Sequence, residues 1–418
     1  MFLSISNVFI SIFKTILAGY LILILAGCSL AEMKKQTEEA ENTAVISGII
    51  ENKSGQKGQR RVVVVSSPSE NKFVIERRVD VDDHGRYLIY VEPGTYYMAA
   101  FIDADKNGIH SNGEHAQVYK EFLPITVVKD QIAKVNIEIV GEPKWQAPAN
   151  AKVVDRKLLS FENIGRIVSL EDPMFSEEVG PLGLWKPIEY LDKYGAGLFM
   201  LQKYNKNKIP IIFVHGANGT AADWRTIVKN IDHKNFQPWI LNYPSGVRLS
   251  LVSDYLKLAT HEMQKKYRMK KIYVVAHSMG GLVTRSFIKK YRRSYISDGK
   301  KIKFVMTINS PMMGMDSAKS GVKYSPILVP SWRDVASDSK FIQRIHAWRW
   351  PDDLPYHLVF SYMSGNGDDG VVILESQIPL KLQSEATRIY GFNNTHAGLL
   401  RDQDFIVHFN KILKKSLN

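Results

Sequence analysis

The chain has one cysteine in 418 residues, Cys28. No disulfide can close within it, so a cysteine-stapled framework is excluded. Internal repeats are absent, which excludes a solenoid or propeller. No nucleic-acid-binding motif occurs. Acidic residues are the minority: 42 Asp and Glu stand against 55 Lys and Arg, for a formal charge of +13. That balance suits contact with anionic surfaces such as lipid or lipopolysaccharide. The basic residues are spread through runs such as KKYRMKK and KKYRRS, which read as solvated helix faces. The length supports two domains with proper cores.

Residues 1–27 are nearly all apolar and carry one charge, Lys14, ahead of TILAGYLILILAG. This is a signal-peptide layout, and the apolar run is short for a membrane span of about 20 residues. It ends Leu25-Ala26-Gly27-Cys28. The ending resembles the bacterial lipobox, which implies cleavage before Cys28 and its acylation. A lone cysteine has no evident use in an exported protein except this one. Ser29, not Asp, follows Cys28. The expected address is the cell envelope, on the outer membrane where the cell has one. Residues 28–44 are polar and lack aromatics, and read as a lipidated tether.

Residues 45–140 carry β-branched and aromatic runs separated by Gly, Asn, Asp and Pro, without helical periods. The spacing predicts a small β-sandwich. The runs SGII, DDHGRY and EPGTYYM resemble those of prealbumin-like and carboxypeptidase-regulatory-like modules. The loop DADKNGIHSNGE places oxygens at relative positions 1, 3, 5 and 12 with glycine at 6. A structural calcium ion there would take Asp103, Asp105, Asn107, the Ile109 carbonyl and Glu114; a metal-free turn is the alternative.

Residues 141–160 read as a linker and 161–418 as a second domain. Within it, Ile272–Leu282 (IYVVAHSMGGL) runs from an apolar strand into a helix-compatible stretch through a turn of small residues. Ala276 and Gly280 flank Ser278 where strand and helix must cross closely. The pattern resembles the G-x-S-x-G nucleophile elbow of α/β hydrolases, with alanine for the first glycine. Upstream, IPIIFVHGANGT is a strand followed by His-Gly and a flexible loop. Downstream, LVFSYM precedes a turn in which Asp369 stands directly before Gly370-Val371-Val372, and His396 follows in NNTHAGLL. Of eleven histidines only His396 and His408 come after Asp369, and His408 lies in an amphipathic terminal segment.

From about Gly183 to Leu417 the chain resembles bacterial lipases and esterases of the α/β-hydrolase fold, a mostly parallel sheet flanked by helices. That resemblance implies Ser278 as nucleophile, His396 as base, Asp369 as its orienting acid, and the amides of Ala217 and Met279 as the oxyanion hole. It implies a carboxylic ester substrate, acyl glycerol or phospholipid, hydrolysed through an acyl-enzyme with no cofactor for catalysis. Where many relatives carry a histidine after the proline of SPMMG, this chain has Met312. Residues 324–350, with three tryptophans, read as a lid or cap, with aromatics either exposed to substrate or packed inside. An amidase, thioesterase or acyltransferase would use the same residues. A non-catalytic surface-binding lipoprotein is the alternative of a different class.

Overall fold

The computed structural model describes residues 29–66, 74–82, 84–129, 132–141, 159–365 and 367–417. The apolar leader, Cys28 and residues 142–158 of the expected linker lie outside the described residues.

The described residues open with a helix, α1 (29–41), where a tether was expected. The correction has a physical reason. The segment is rich in Glu, Lys, Gln and Ala, all good helix formers. One face also finds a partner: Thr37 and Ala40 are buried, and Ala40 joins the larger core of the second domain. Gln36 accepts a hydrogen bond from the Glu189 amide at 2.9 Å. Glu41 meets Lys129 at 2.6 Å, Arg333 at 3.2 Å and Arg248 at 3.5 Å.

Nine strands follow: β1 (Ala44–Asn52), β2 (Gln59–Ser66), β3 (Val74–Asp80), β4 (Arg86–Val91), β5 (Gly94–Asp103), β6 (Ala116–Val118), β7 (Ile125–Val127), β8 (Ile132–Lys134) and β9 (Ile137–Ile139). They form two sheets, β4-β1-β8 with β9 also on β1, and β3-β2-β5-β6 with β7 also on β5. Ile46, Ile50, Ile89, Met98, Ala100 and Ile102 fill the space between them. This is the expected sandwich. It is packed against the following domain: Leu88 and Tyr90 share a core with Leu251 and Tyr255, and Arg86 pairs with Glu262.

The second domain is built on β10 (Leu159–Ile167), β11 (Ala196–Met200), β12 (Ile209–Val214), β13 (Phe236–Asn242), β14 (Ile272–His277), β15 (Ile302–Ile308), β16 (Tyr356–Tyr362) and β17 (Arg388–Asn393). Strand β10 starts two residues inside the expected linker and was not recognised as a strand in the sequence. Its polar SFEN stretch hides it, as suits the edge of a sheet. The sheet order is β10-β11-β13-β12-β14-β15-β16-β17. Strand β11 is antiparallel to β13 and parallel to β10, and the rest run parallel.

Helices cover both faces: α2 (Val179–Trp185), α3 (Pro187–Tyr194), α4 (Arg225–Asn230), α5 (Leu249–Tyr267), α6 (Met279–Ser294), α7 (Ile296–Gly299), α8 (Asp316–Tyr324), α9 (Pro330–Val335), α10 (Lys340–His346), α11 (Leu374–Gln377), α12 (Leu380–Glu385) and α13 (Gln403–Lys415). With both faces covered, the central strands are buried and mostly apolar. Ile212, Val214, Val274 and Ala276 enter one core layer with α5 and α6. Ile211, Phe213, Tyr273 and Val275 enter the other with α4 and α13. This is the α/β-hydrolase fold, preceded by an all-β sandwich. Central β14 ends at the turn that carries Ser278.

Candidate active site

Strand β14 is buried along its whole length and delivers the chain to Ser278 at the sheet's carboxyl end. Ser278 sits at φ 53°, ψ −130°, a conformation that L residues avoid. Such strain persists only where the surroundings over-determine it. Here the Ser278 amide is bound to the Ile308 carbonyl at 2.9 Å, and helix α6 begins at the next residue. The tight crossing explains the small residues. A methyl group on Gly280 would lie 2.5 Å from the main-chain oxygens of Val214 and His215.

The two distant residues singled out with Ser278 converge on it. His396 Nε2 lies 2.9 Å from Ser278 Oγ, and His396 Nδ1 lies 2.7 Å from Asp369 Oδ2. Asp369 is buried. Its other oxygen accepts the amides of Val371 at 3.0 Å and Val372 at 2.7 Å. The Gly-Val-Val turn therefore fixes the carboxylate and leaves one oxygen for the imidazole. Among the described residues Asp368 bonds locally, to the Gly370 amide through its side chain and to the Met363 amide through its carbonyl. His408 packs its ring on Tyr390 and Phe392, away from Ser278.

The loop after β12 comes against the serine from the other side. A Cβ on Gly216 would lie 2.7 Å from Ser278 Cβ, so only glycine lets the loop approach this closely. Next to it, Ala217 is exposed, and among the described residues no acceptor engages its amide. Met279 opens α6, and a first-turn amide has no acceptor within its helix. Both amides are thus free to donate, one on the glycine loop packed against Ser278 and one directly after Ser278 in the chain. The loop is braced from behind. Tyr243 donates to the His215 carbonyl at 2.6 Å, its ring stacks on His215, and Ser245 Oγ accepts the Asn218 amide at 2.9 Å.

Three titratable groups around the site are shifted by burial. His215 is pushed down to about 4 and His277 to about 3, each mainly because the charged ring would lose its water. Both are neutral at ordinary pH. Asp223, whose carboxylate accepts the Thr220 amide within the same loop, is raised to about 6, again chiefly by burial.

Several residues around the site were not singled out in the sequence. His277 and Asn309 both reach the His396 main chain, and Tyr243 and Ser245 hold the loop after β12. Only adjacency to the motif marked His277. Asn309 follows β15 at φ 50°, and an Asn directly after a strand is the one sequence signal for such a turn. Met312 is wholly buried beneath Gly281, so it is part of the core.

The segment read as a lid is packed. Val335, Phe341, Ile342, Ile345 and Trp350 belong to the same core as Phe287 and Ile288 of α6. Trp332 stands edge-on to Trp185 at 5.5 Å. Helix α8, just before that segment, has no buried residue, and Tyr324 at its end is exposed.

In the sandwich, donor atoms of Asp103, Asp105 and Glu114 lie within 4.8 Å of one another. Asp103 is fully buried. One oxygen takes Arg61 at 2.8 Å and the Gly108 amide at 3.0 Å, while the other has no partner among the described residues. Glu114 accepts the amides of Ala104 and Ser111. The side-chain oxygen of Asn107 accepts the Ile109 amide at 2.6 Å, and the Ile109 carbonyl faces the Ser111 hydroxyl at 3.4 Å. The acids converge as the loop spacing implies, while Asn107 and Ile109 are engaged inside the loop.

Comparison with curated proteins finds no match. Among solved structures, the chain is similar to the gene lin2722 product of Listeria innocua, at 17% identity over 50% of this chain and 94% of that one, TM-score 0.37. It is similar to Bacillus licheniformis lipase BlEst2 in mature form, at 16% identity over 51% and 94%, TM-score 0.39. It is also similar to a lipase-esterase related protein from Clostridium acetobutylicum, at 13% identity over 52% and 98%, TM-score 0.36. At these values the sheet order, not the likeness, carries the fold. Residues 246–344 match the family described as "Putative serine esterase (DUF676)". An α/β-hydrolase domain whose segment around Ser278 is similar to serine esterases therefore forms the second half of this chain.

Proposed function

We propose that the protein is a serine carboxylic-ester hydrolase of the lipase/esterase type. The observation that carries this is the hydrogen-bonded series from Ser278 Oγ through His396 to buried Asp369. A serine hydroxyl is a poor nucleophile until a base takes its proton. His396 Nε2 takes that proton as Ser278 Oγ bonds to the ester carbonyl carbon. Asp369 holds Nδ1–H and stabilises the imidazolium without itself being protonated. The carbonyl oxygen becomes an oxyanion facing the amides of Ala217 and Met279. Loss of one such donor costs about 10²–10³ in rate. The tetrahedral species collapses, His396 protonates the leaving alcohol, and Ser278 is left acylated. Water then repeats the sequence, giving the carboxylic acid and free serine.

An apolar acyl substrate is supported by the surroundings. Val371 and Ile373, just after Asp369, are exposed, as is Met313, whose amide bonds the Ser376 carbonyl of the same region. Large apolar side chains left in water beside a site favour an apolar ligand. Acylation of Cys28 would place the enzyme on a membrane that supplies such substrates. Among the described residues no helix is long and apolar enough to cross one. A thioesterase, amidase or acyltransferase would share the first half-reaction and differ in the acceptor or leaving group.

The test is turnover of p-nitrophenyl esters from acetate to palmitate by protein beginning at Ser29. The expected result is hydrolysis that rises with chain length beyond acetate. No turnover of any ester by folded protein would remove the ester-hydrolase reading.

A further inference from the structure

His396 sits in the short loop between β17 and the final helical turns, so no regular element fixes its position. Sites on loops need supporting contacts to hold catalytic geometry. The main chain of His396 is tied at both ends. Its amide donates to the Asp369 carbonyl at 2.8 Å. Its carbonyl accepts two side-chain donors, His277 Nε2 at 3.0 Å and Asn309 Nδ2 at 2.9 Å. A carbonyl oxygen has two lone pairs, and both are used.

The two donors come from adjacent strand ends. His277 ends β14 immediately before Ser278, and Asn309 follows β15. Strands β14 and β15 are in register there, with His277 opposite Ile308. Asn309 is itself fixed: it is buried, in the left-handed region, and its amide bonds the Val359 carbonyl of β16 at 2.9 Å. The same rigid sheet end that lifts Ser278 therefore also grips the residue that must meet it.

We propose that His277 and Asn309 act as a two-donor clamp on the His396 main-chain carbonyl, setting the position of its imidazole over Ser278. They are positioning residues, because they reach the reacting atoms only through His396. The choice of donors has a chemical reason. His396 becomes cationic when it takes the serine proton, and the His277 and His396 ring centroids are 4.8 Å apart. A lysine or arginine in place of His277 would repel that cation. A neutral imidazole and an amide grip the carbonyl without opposing it. The carbonyl can only accept, so His277 carries its proton on Nε2.

This inference rests on the proposed triad, and its test separates the two. His277→Phe keeps a flat ring and removes the donor, whereas His277→Gln restores an N–H near the Nε2 position. Asn309→Asp keeps the shape and exchanges donor for acceptor. Each variant is measured for kcat and KM on p-nitrophenyl butyrate, for melting temperature, and for the low-field proton NMR signal of the imidazole N–H bound to Asp369. The clamp predicts that His277→Phe lowers kcat by about 10- to 100-fold, since small misplacements cost that much, with KM within about twofold. His277→Gln should recover most of the loss. Asn309→Asp should resemble His277→Phe, and the low-field signal should broaden or vanish in both. A parent-like kcat and signal in folded His277→Phe would overturn the clamp, as would a His277→Gln no better than His277→Phe. If the parent itself turns over no ester yet the signal responds as described, the hydrolase reading fails and the clamp stands.

Discussion

Ser278 concentrates the strain of the site in one residue, at φ 53° and ψ −130°. Ser278→Ala removes the hydroxyl without relieving the turn. It should keep the parent melting temperature within about 2 °C and lower ester turnover by at least about 10³-fold. Asp223 offers a second test at this scale. Burial raises its pKa to about 6, above the value near 3.8 of an unfolded carboxyl. The fold therefore holds that proton more tightly than the unfolded chain does. Stability from this group is full below about pH 4 and is lost as pH rises through about 6. Asp223→Asn keeps an acceptor for the Thr220 amide and removes the charge. It should stabilise by up to about 3 kcal/mol at about pH 8 and change little at about pH 4, as read by thermal melts. An equal effect at both pH values would contradict the assignment.

Among elements, the strand–turn–helix around Ser278 was legible because its constraint is local. Only small residues fit the crossing, so Ala276 and Gly280 announce it. Gly280→Ala should cost about 2–3 kcal/mol, because its methyl meets rigid main-chain oxygens of β12 and the residue after it. The helix at 29–41 was not legible. Its polar composition fits a tether as well as a helix, and only contacts made elsewhere in the fold, at Ala40, Gln36 and Glu41, distinguish them. Glu41 gathers Lys129 from the sandwich with Arg248 and Arg333 from the hydrolase domain. Glu41→Gln removes the carboxylate that these cations share, while Arg248 keeps Asp334. It should destabilise by about 1–3 kcal/mol and speed proteolysis near residue 40. The acidic loop of the sandwich was legible as spacing but not as hydrogen bonding, since neither Arg61 on Asp103 nor the amides on Glu114 leave a trace in the motif. A calcium ion would satisfy the free oxygen of Asp103. Millimolar calcium is then expected to raise the melting temperature of the parent and not of Asp105→Ala. No rise in the parent would leave Arg61 as the resident counter-ion.

For the whole molecule, buried histidines set the response to acid. His215, His346 and His357 are pushed down to about 4 and His277 to about 3, chiefly by burial. Unfolded histidines titrate near 6.5, so between about pH 6.5 and 4 the unfolded chain takes up protons that the fold refuses. Each contributes a loss of about 1.4 kcal/mol per pH unit across that window, opposed in part by Asp223. The melting temperature should therefore fall steeply below about pH 6. A flat profile to pH 4 would mean that these rings are hydrated. The two-domain plan was legible at this scale because strand spacing and the order Ser, Asp, His are long-range patterns that survive any loop. What sequence could not reveal is contact across those patterns. Nothing in residue order brings Tyr90 to Tyr255, or His277 and Asn309 to the carbonyl of His396.

The most direct test of the central claim is labelling with a fluorophosphonate, followed by mass mapping of the adduct. The account predicts one adduct, on Ser278, absent in Ser278→Ala and formed at least about 10²-fold more slowly in His396→Ala. Folded parent protein that takes no label, or takes it on another residue, would contradict it.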